Sequence, residues 1–426
     1  MERQMTAEQV KAVDRLFGYD NTILVAGTGV GKTVITLTAI WEMIQENYLR
    51  KVIVAAPAKV IEKRMWLEEM DKWHHLRGMR AIQLEGNSTQ RIRTLFANEA
   101  EIILVSLNNL DWLLHQDHEC DGIVIDELSK AAGKWTKGLK SKKLAGRLVY
   151  RVGLTASPVS QDFQKLYGMA RIIDGGKALG TNKQKYLQEY FYPDYQGYNW
   201  TLKGFADAQI LDKIRPLVHL VKDNKAQILP PLREIVIKFD MPAETREIYN
   251  EMKKHMVVDA LDIESANAAV TSGKLRQIAS GFAYRENAPA EYLDNARLLA
   301  FMEWRLGLEH RGVSGLVFYE FVEDEARLRE ICPPHIQLAQ INSMSHGVDG
   351  LQHEFADVLF YAPVWSRDKQ QQSIGRVWRQ GQEKPVTVTT LVCRDTLDDL
   401  VMARIEDRGK WMKLFKQHLK GCGDAR

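Results

Sequence analysis

Cysteine is scarce in these 426 residues: four in all, Cys120, Cys332, Cys393 and Cys422. They lie far apart with no CxxC pair, so no zinc ribbon or finger is indicated and no disulfide framework is implied. Such usage suits a reducing cytoplasm, which is the expected location. Long apolar runs are missing as well. No stretch is long enough to span a membrane, and Met1-Glu2-Arg3-Gln4 has no apolar signal core. Charge of one sign is also lacking. The formal net charge of +3 is too small to demand a nucleic-acid partner and does not oppose one. There is no internal repeat and no low-complexity tract. What is present is 45% hydrophobic and 27% charged residues, a globular composition, in a chain long enough for two domains.

Apolar runs rich in Val, Ile and Leu recur between helical stretches, the pattern of parallel sheets covered on both faces. Strands are expected at Thr22–Ala26, Val52–Ala56, Ile102–Leu107, Gly122–Ile125 and Leu148–Gly153. A break at Asp174–Lys183 leads into an aromatic helical stretch, Lys185–Lys222. Pro230-Pro231 then opens a second α/β pattern, with strands at Arg233–Asp240, Gly315–Tyr319, Ile336–Asn342, Asp357–Tyr361 and Val386–Val392. A closing helix carries Trp411, Leu414, Phe415, His418 and Leu419 at helical spacing, with Lys410, Lys413, Lys416 and Lys420 on its other faces; it reads as a packed helix with a solvated basic side.

Three constellations carry chemistry. Gly27-Thr28-Gly29-Val30-Gly31-Lys32-Thr33 follows a strand and opens a helix. A glycine-rich turn at a helix start presents backbone N–H groups to a polyphosphate. Lys32 would reach the β- and γ-phosphates, and the Thr33 hydroxyl would ligate magnesium. Ala26 stands where that pattern has its first glycine, one position short of a full match. The second is Gly122-Ile123-Val124-Ile125-Asp126-Glu127, a buried strand with two carboxylates at its end. Asp126 fits the magnesium-holding role and Glu127 the general base that polarises water. The third is Gln372–Gln382, in which Arg376 and Arg379, three apart, would share a helix face and stabilise charge on a γ-phosphate. His115, His118 and Cys120 read as a polar turn rather than a metal site, and most of the ten tryptophans read as core.

Taken in order, these motifs resemble the superfamily 2 helicases, most nearly the Swi/Snf-type branch of double-strand DNA translocases. Gln9 resembles the adenine-reading glutamine, and Ala26–Thr33 motif I. Val52–Lys59 with Trp66 and Trp73 resembles motif Ia, and Leu104–Asn108 the next DNA-facing motif. Gly153–Pro158 is similar to motif III, Leu316–Tyr319 to motif IV, Ser345–Gln352 to motif V and Gln372–Gln382 to motif VI. The Gly381-Gln382 ending is typical of the Swi/Snf branch, and the compact form resembles bacteriophage-encoded members. Ser345 replaces a usual glycine, and one βα unit between motifs IV and V is absent, so a narrower second sheet is expected.

The resemblance implies two RecA-like α/β domains sharing a cleft, with a helical insertion between them. Their bounds would be 1–175 for the first, 176–228 for the insertion, 229–402 for the second and 403–426 for the closing helix. It implies ATP and Mg2+ as cofactors and duplex DNA as the partner. Nucleotide contacts would come from Gln9, Gly27, Thr28, Gly29, Val30, Gly31, Lys32, Thr33, Gly347, Asp349 and Gln372. DNA contacts would come from Lys59, Ser106, Asn108 and Thr155. The expected activity is DNA-stimulated ATP hydrolysis that drives movement on duplex DNA. An ATP-gated clamp without motor action, or an RNA or single-strand unwinding helicase, stands as the alternative.

Overall fold

The computed structural model of the chain describes residues 4–27, 29–97, 99–132, 139, 146–156, 163–195, 200–222, 229–255, 257–258, 263–264, 268–285, 289–341 and 350–406. Contacts divide it into two units, Met1–Asp223 and Asn224–Arg408.

The first unit is a seven-stranded sheet. Its strands are β1 (Asn21–Val25), β2 (Val52–Ala56), β3 (Ala81–Gln83), β4 (Ile102–Ser106), β5 (Gly122–Ile125), β6 (Tyr150–Thr155) and β9 (Val218–Leu220), in the order β3-β4-β2-β5-β6-β1-β9. Every pairing is parallel. Alternate residues feed the two faces. Ile23, Val25, Ile53, Ala55, Ile103, Val105, Ile123 and Ile125 enter one apolar layer. Leu24, Val52, Val54, Ala56, Ile102, Leu104, Val124, Val152 and Leu154 enter the other. Burial on both faces explains the unbroken apolar runs. Because the strands are parallel, the ends of β1, β2, β4, β5 and β6 all emerge at one edge, where ligands of open α/β sheets sit.

Residues 176–222 are less uniformly helical than their sequence suggests. Helices Lys183–Tyr190 and Ala206–Ile214 flank a hairpin of β7 (Phe191–Pro193) and β8 (Trp200–Leu202), and the segment ends in edge strand β9 beside β1. Strands of three residues are too short to show a periodicity, and this also hid β3.

The second unit has five parallel strands: β10 (Leu232–Phe239), β15 (Gly315–Tyr319), β16 (Ile336–Gln340), β17 (Asp357–Phe360) and β18 (Val386–Cys393), ordered β10-β18-β17-β15-β16. Two small hairpins, β11 (Val257–Val258) with β12 (Ile263–Glu264) and β13 (Phe282–Ala283) with β14 (Glu291–Tyr292), lie between β10 and β15 in sequence. Helices Ala243–His255 and Ala268–Ala279 form a separate apolar cluster from Tyr249, Met252, Leu275 and Ile278. Two parallel sheets flanked by helices are the α/β architecture expected from the sequence. The closing helix expected over Trp411–Leu419 lies outside the described residues.

Candidate nucleotide site

The loop after β1 is fixed at both ends. Ala26 N donates to Thr155 O at 3.0 Å, tying the loop to the end of β6. At its far end Gly31 is the N-cap of helix Lys32–Gln45, at φ 91°, and no side chain caps that helix start. A side chain at Gly31 would be strained by the left-handed backbone and would also collide with Gln9 Nε2, at 2.5 Å from the added carbon. The uncapped amides of the first turn remain available to an anion.

Gln9 closes the back of the loop. Its Nε2 donates to Val30 O at 2.9 Å, and its Oε1 accepts from Thr6 N at 2.8 Å. Thr6 and Gln9 form a capping box on helix Ala7–Gly18. Beside the base-reading role expected of Gln9, Thr6-Ala7-Glu8-Gln9 has the spacing of such a box. Lys32 Nζ folds onto the loop, donating to Ala26 O at 3.1 Å and Gly27 O at 3.3 Å.

The carboxylate pair sits at the end of β5. Asp126 N donates to Ala55 O at 2.8 Å, so β2 holds it in line. Burial, then the neighbouring Glu127 carboxylate, pushes Asp126 up to about 6, while Lys32 and Trp66 pull it down. Trp66 Nε1 donates to Asp126 Oδ2 at 3.3 Å, a contact that nothing in the spacing announced. Glu127 takes a left-handed conformation, φ 57°, at the start of the short helix Leu128–Ala131. For a non-glycine residue this costs roughly 1–2 kcal/mol, and it turns the chain sharply as the two carboxylates leave the sheet. Leu128 presses on β6 so closely that a carbon added at Gly153 would lie 2.3 Å from its Cδ2.

Among the four residues expected to face nucleic acid, Lys59 and Asn108 are exposed, whereas Ser106 and Thr155 are buried. Ser106 and Thr155 end β4 and β6 and are buried there, so only the first two are presented to solvent. His118 is buried, and its Nδ1 accepts from Cys120 N at 3.0 Å.

In the second unit, helix Arg367–Val377 carries Gln372 and Arg376. It stops before Arg379, so the shared helix face expected of the two arginines is not formed. Trp378 leaves helical geometry at ψ 78° and donates its Nε1 to Pro230 O at 2.8 Å. Gln382 is buried and donates to Val377 O and Phe355 O, fastening the helix end. Thr28, Gly347 and Asp349 lie outside the described residues.

A parallel sheet with a glycine loop after its first strand and two carboxylates at the end of another defines a nucleotide-binding α/β core. The model of the SNF2-related domain matches residues 9–285, and the chain belongs to that family. Arg376 and Arg379 lie beyond the matched span. The chain is similar to putative protein p41 of Acyrthosiphon pisum secondary endosymbiont phage 1, at 28% identity over 93% of this chain and 94% of that protein. It is similar to a DNA repair and recombination protein RAD54-like of Drosophila virilis, at 21% identity over 91% of this chain, and spans 59% of that protein's length. A solved structure, the Sulfolobus solfataricus SWI2/SNF2 ATPase core in complex with dsDNA, is similar at 19% identity and a TM-score of 0.47, over 97% of this chain and 93% of that one. Family membership implies nucleotide binding. No described helix is long and apolar enough to cross a membrane.

Proposed function

We propose that the chain is a DNA-stimulated ATPase that moves along duplex DNA. The observation that carries this reading is the meeting of Lys32 and Asp126 at one sheet edge, where each charge is held by named partners and Lys32 acts on Asp126. Gln9 and the loop amides would bind the nucleotide, and Lys32 would turn from the loop carbonyls to the phosphates. Glu127 would take a proton from the attacking water. Arg376, with Arg379, would supply guanidinium charge to the transferring phosphoryl group.

The donors fit a hard divalent cation. Thr33 offers a hydroxyl and Asp126 a carboxylate, oxygen ligands of the kind Mg2+ takes together with substrate phosphates. A cation there favours the ionised form of Asp126 against the burial that opposes it. Magnesium, when bound, neutralises phosphate charge. Lys59 and Asn108, exposed at the same sheet edge, are the groups we assign to the DNA backbone. Their contacts would be sequence-independent and weakened by salt. The family and the phage relative support a site of action in the host cytoplasm.

The test is the ATPase rate without nucleic acid and with duplex DNA, single-stranded DNA or RNA. Duplex DNA should stimulate most. Equal rates in all four would remove DNA as the coupled partner, and strongest stimulation by RNA or single strands would favour an unwinding helicase. Displacement of a third strand from a triplex, dependent on ATP, tests movement.

A further inference from the structure

The charge of the chain is unevenly placed. Residues 176–222 hold seven lysines and arginines against four carboxylates; with 58 and 55 in the whole chain, the remainder balances at 51 of each. The net positive charge therefore resides in the segment that carries the β7–β8 hairpin. Lys177, Lys183, Lys185, Lys213 and Lys222 of this segment are exposed.

The hairpin has two unlike faces. Phe191 is buried in the sheet's apolar layer, with Trp200 and Leu202 packed against that layer. Tyr192, which pairs with Thr201, alternates to the opposite face and is 61% exposed. Lys203 stands over its ring, Nζ 5.3 Å from the centroid. Tyr195, just beyond the strand, is fully exposed at 105%. Phe205 is 86% exposed and left-handed at φ 65°, a conformation a bulky side chain seldom takes. Three aromatic rings thus lie in water, one of them under the Lys203 ammonium, in a segment of net positive charge.

The base of the hairpin is packed and hydrogen-bonded. Tyr186 donates its hydroxyl to Phe163 O at 2.8 Å and packs against Tyr167, Tyr190 and Phe191 at ring separations of 4.8, 5.2 and 5.7 Å. Lys203 Nζ fastens the hairpin to the end of helix Lys183–Tyr190 through Gln188 O and Glu189 O. Helix Phe163–Asp174 touches Arg151, near the start of β6, through Ile172 O. Its other end, Phe163, therefore points toward the end of β6, on the edge where the nucleotide loop emerges. These contacts tie the base of the hairpin to the helices beneath it.

We propose that the hairpin is a stacking platform for unpaired bases of a nucleic-acid strand. Tyr192 and Tyr195 lie no more than about 11 Å apart along the chain, close enough to engage bases near one another on one strand. Every base has an apolar face that such rings accept regardless of sequence, and the lysines attract the backbone. The proposal rests on nucleic acid as the partner class named above and adds a second grip, one for unpaired strands.

Binding by the full chain is measured without ATP, by fluorescence anisotropy, with a labelled 20-nucleotide oligo-dT and a 20-base-pair duplex. The double variant Tyr192→Ser/Tyr195→Ser should bind oligo-dT about tenfold or more weakly, with duplex affinity within threefold and basal ATPase unchanged. Tyr192→Phe/Tyr195→Phe should restore oligo-dT binding, which a hydroxyl-dependent role would not predict, while the retained duplex affinity and ATPase of the serine variant separate stacking from a structural role. Unchanged oligo-dT affinity in the serine variant, with duplex still bound, overturns the platform and leaves the duplex ATPase reading standing. Failure of the wild-type chain to bind either nucleic acid overturns both and points to a protein surface covering the rings.

Discussion

In the first unit the buried polar side chains are mostly hydroxyls: Thr22, Thr36, Thr38, Ser106 and Thr155, and no lysine or arginine is buried among the described residues. In the second, Arg276, Arg297 and Arg327 are buried together with Asp324, Asp357 and Asp398. The arginines fasten elements to one another. Arg297 bonds Ala279 O, Tyr361 O, Leu391 O and Asp398 Oδ2, joining the end of a helix to two strands. Arg327 holds Ser280 O, Asp294 O and Asn295 Oδ1. Arg276 grips Glu320 with both terminal nitrogens and also reaches Pro363 O. The first unit is held by apolar layers; Asp174 is the one buried carboxylate among its described residues, and Lys32 and Asp126 stand at the sheet edge, where chemistry needs them. The second uses charge internally, to pin the helices and hairpin of residues 243–295 onto its sheet. Function and stability should therefore respond to different charged residues in the two units.

The largest effect should separate rate from stability. Lys32→Ala and Glu127→Gln should each lower ATP turnover by roughly 10³-fold or more, about 4 kcal/mol of barrier, with little change in the unfolding midpoint. Phosphate release checks the first and thermal unfolding the second. Retained turnover in both variants would end the site assignment. Arg297→Met should do the reverse. It leaves Asp398 buried without its guanidinium, a loss of about 3–5 kcal/mol in urea unfolding. A loss below 1 kcal/mol would mean that water replaces the guanidinium, and the contrast between the units would collapse.

The sheets were legible because burial on both faces writes itself into runs such as Ile102–Leu107 and Gly315–Tyr319. The nucleotide loop and the Asp126-Glu127 pair were legible because each follows such a run. What escaped was whatever depends on three dimensions or on very short segments. Strands β3 and β9 have three residues each. The Trp66 contact to Asp126 spans 60 positions. The helix carrying Arg376 stops short of Arg379 because Trp378 is drawn to Pro230, 148 positions away. Most arginine bonds of the second unit run to backbone carbonyls, which have no residue type to recognise, and the side-chain partners Glu320, Asp398 and Asn295 lie 44, 101 and 32 positions from their arginines.

The smallest expected effect probes the same contrast through pH. Asp324 lies in the first turn of helix Val322–Ile331, is buried, and accepts from Phe321 N at 3.3 Å through Oδ2. Its Oδ1 has no hydrogen bond among the described residues. Burial, and less strongly Glu320, pushes its carboxyl up to about 7, against the pull of Arg297 and Arg327. A carboxyl whose pKa is raised on folding stabilises the fold fully below its unfolded value, near 4, and that contribution is lost as pH rises through 7. Wild-type stability should fall by about 1–3 kcal/mol from this group between pH 4 and 8. Asp324→Asn keeps the acceptor for Phe321 N and removes the titration. Its urea midpoint should fall less over that range and exceed the wild-type value at pH 8. Parallel curves for the two proteins would show the carboxyl ionised throughout, with Arg297 and Arg327 outweighing burial. The second unit's inner charges would then act as one balanced set, and its difference from the first unit would lie in fastening alone.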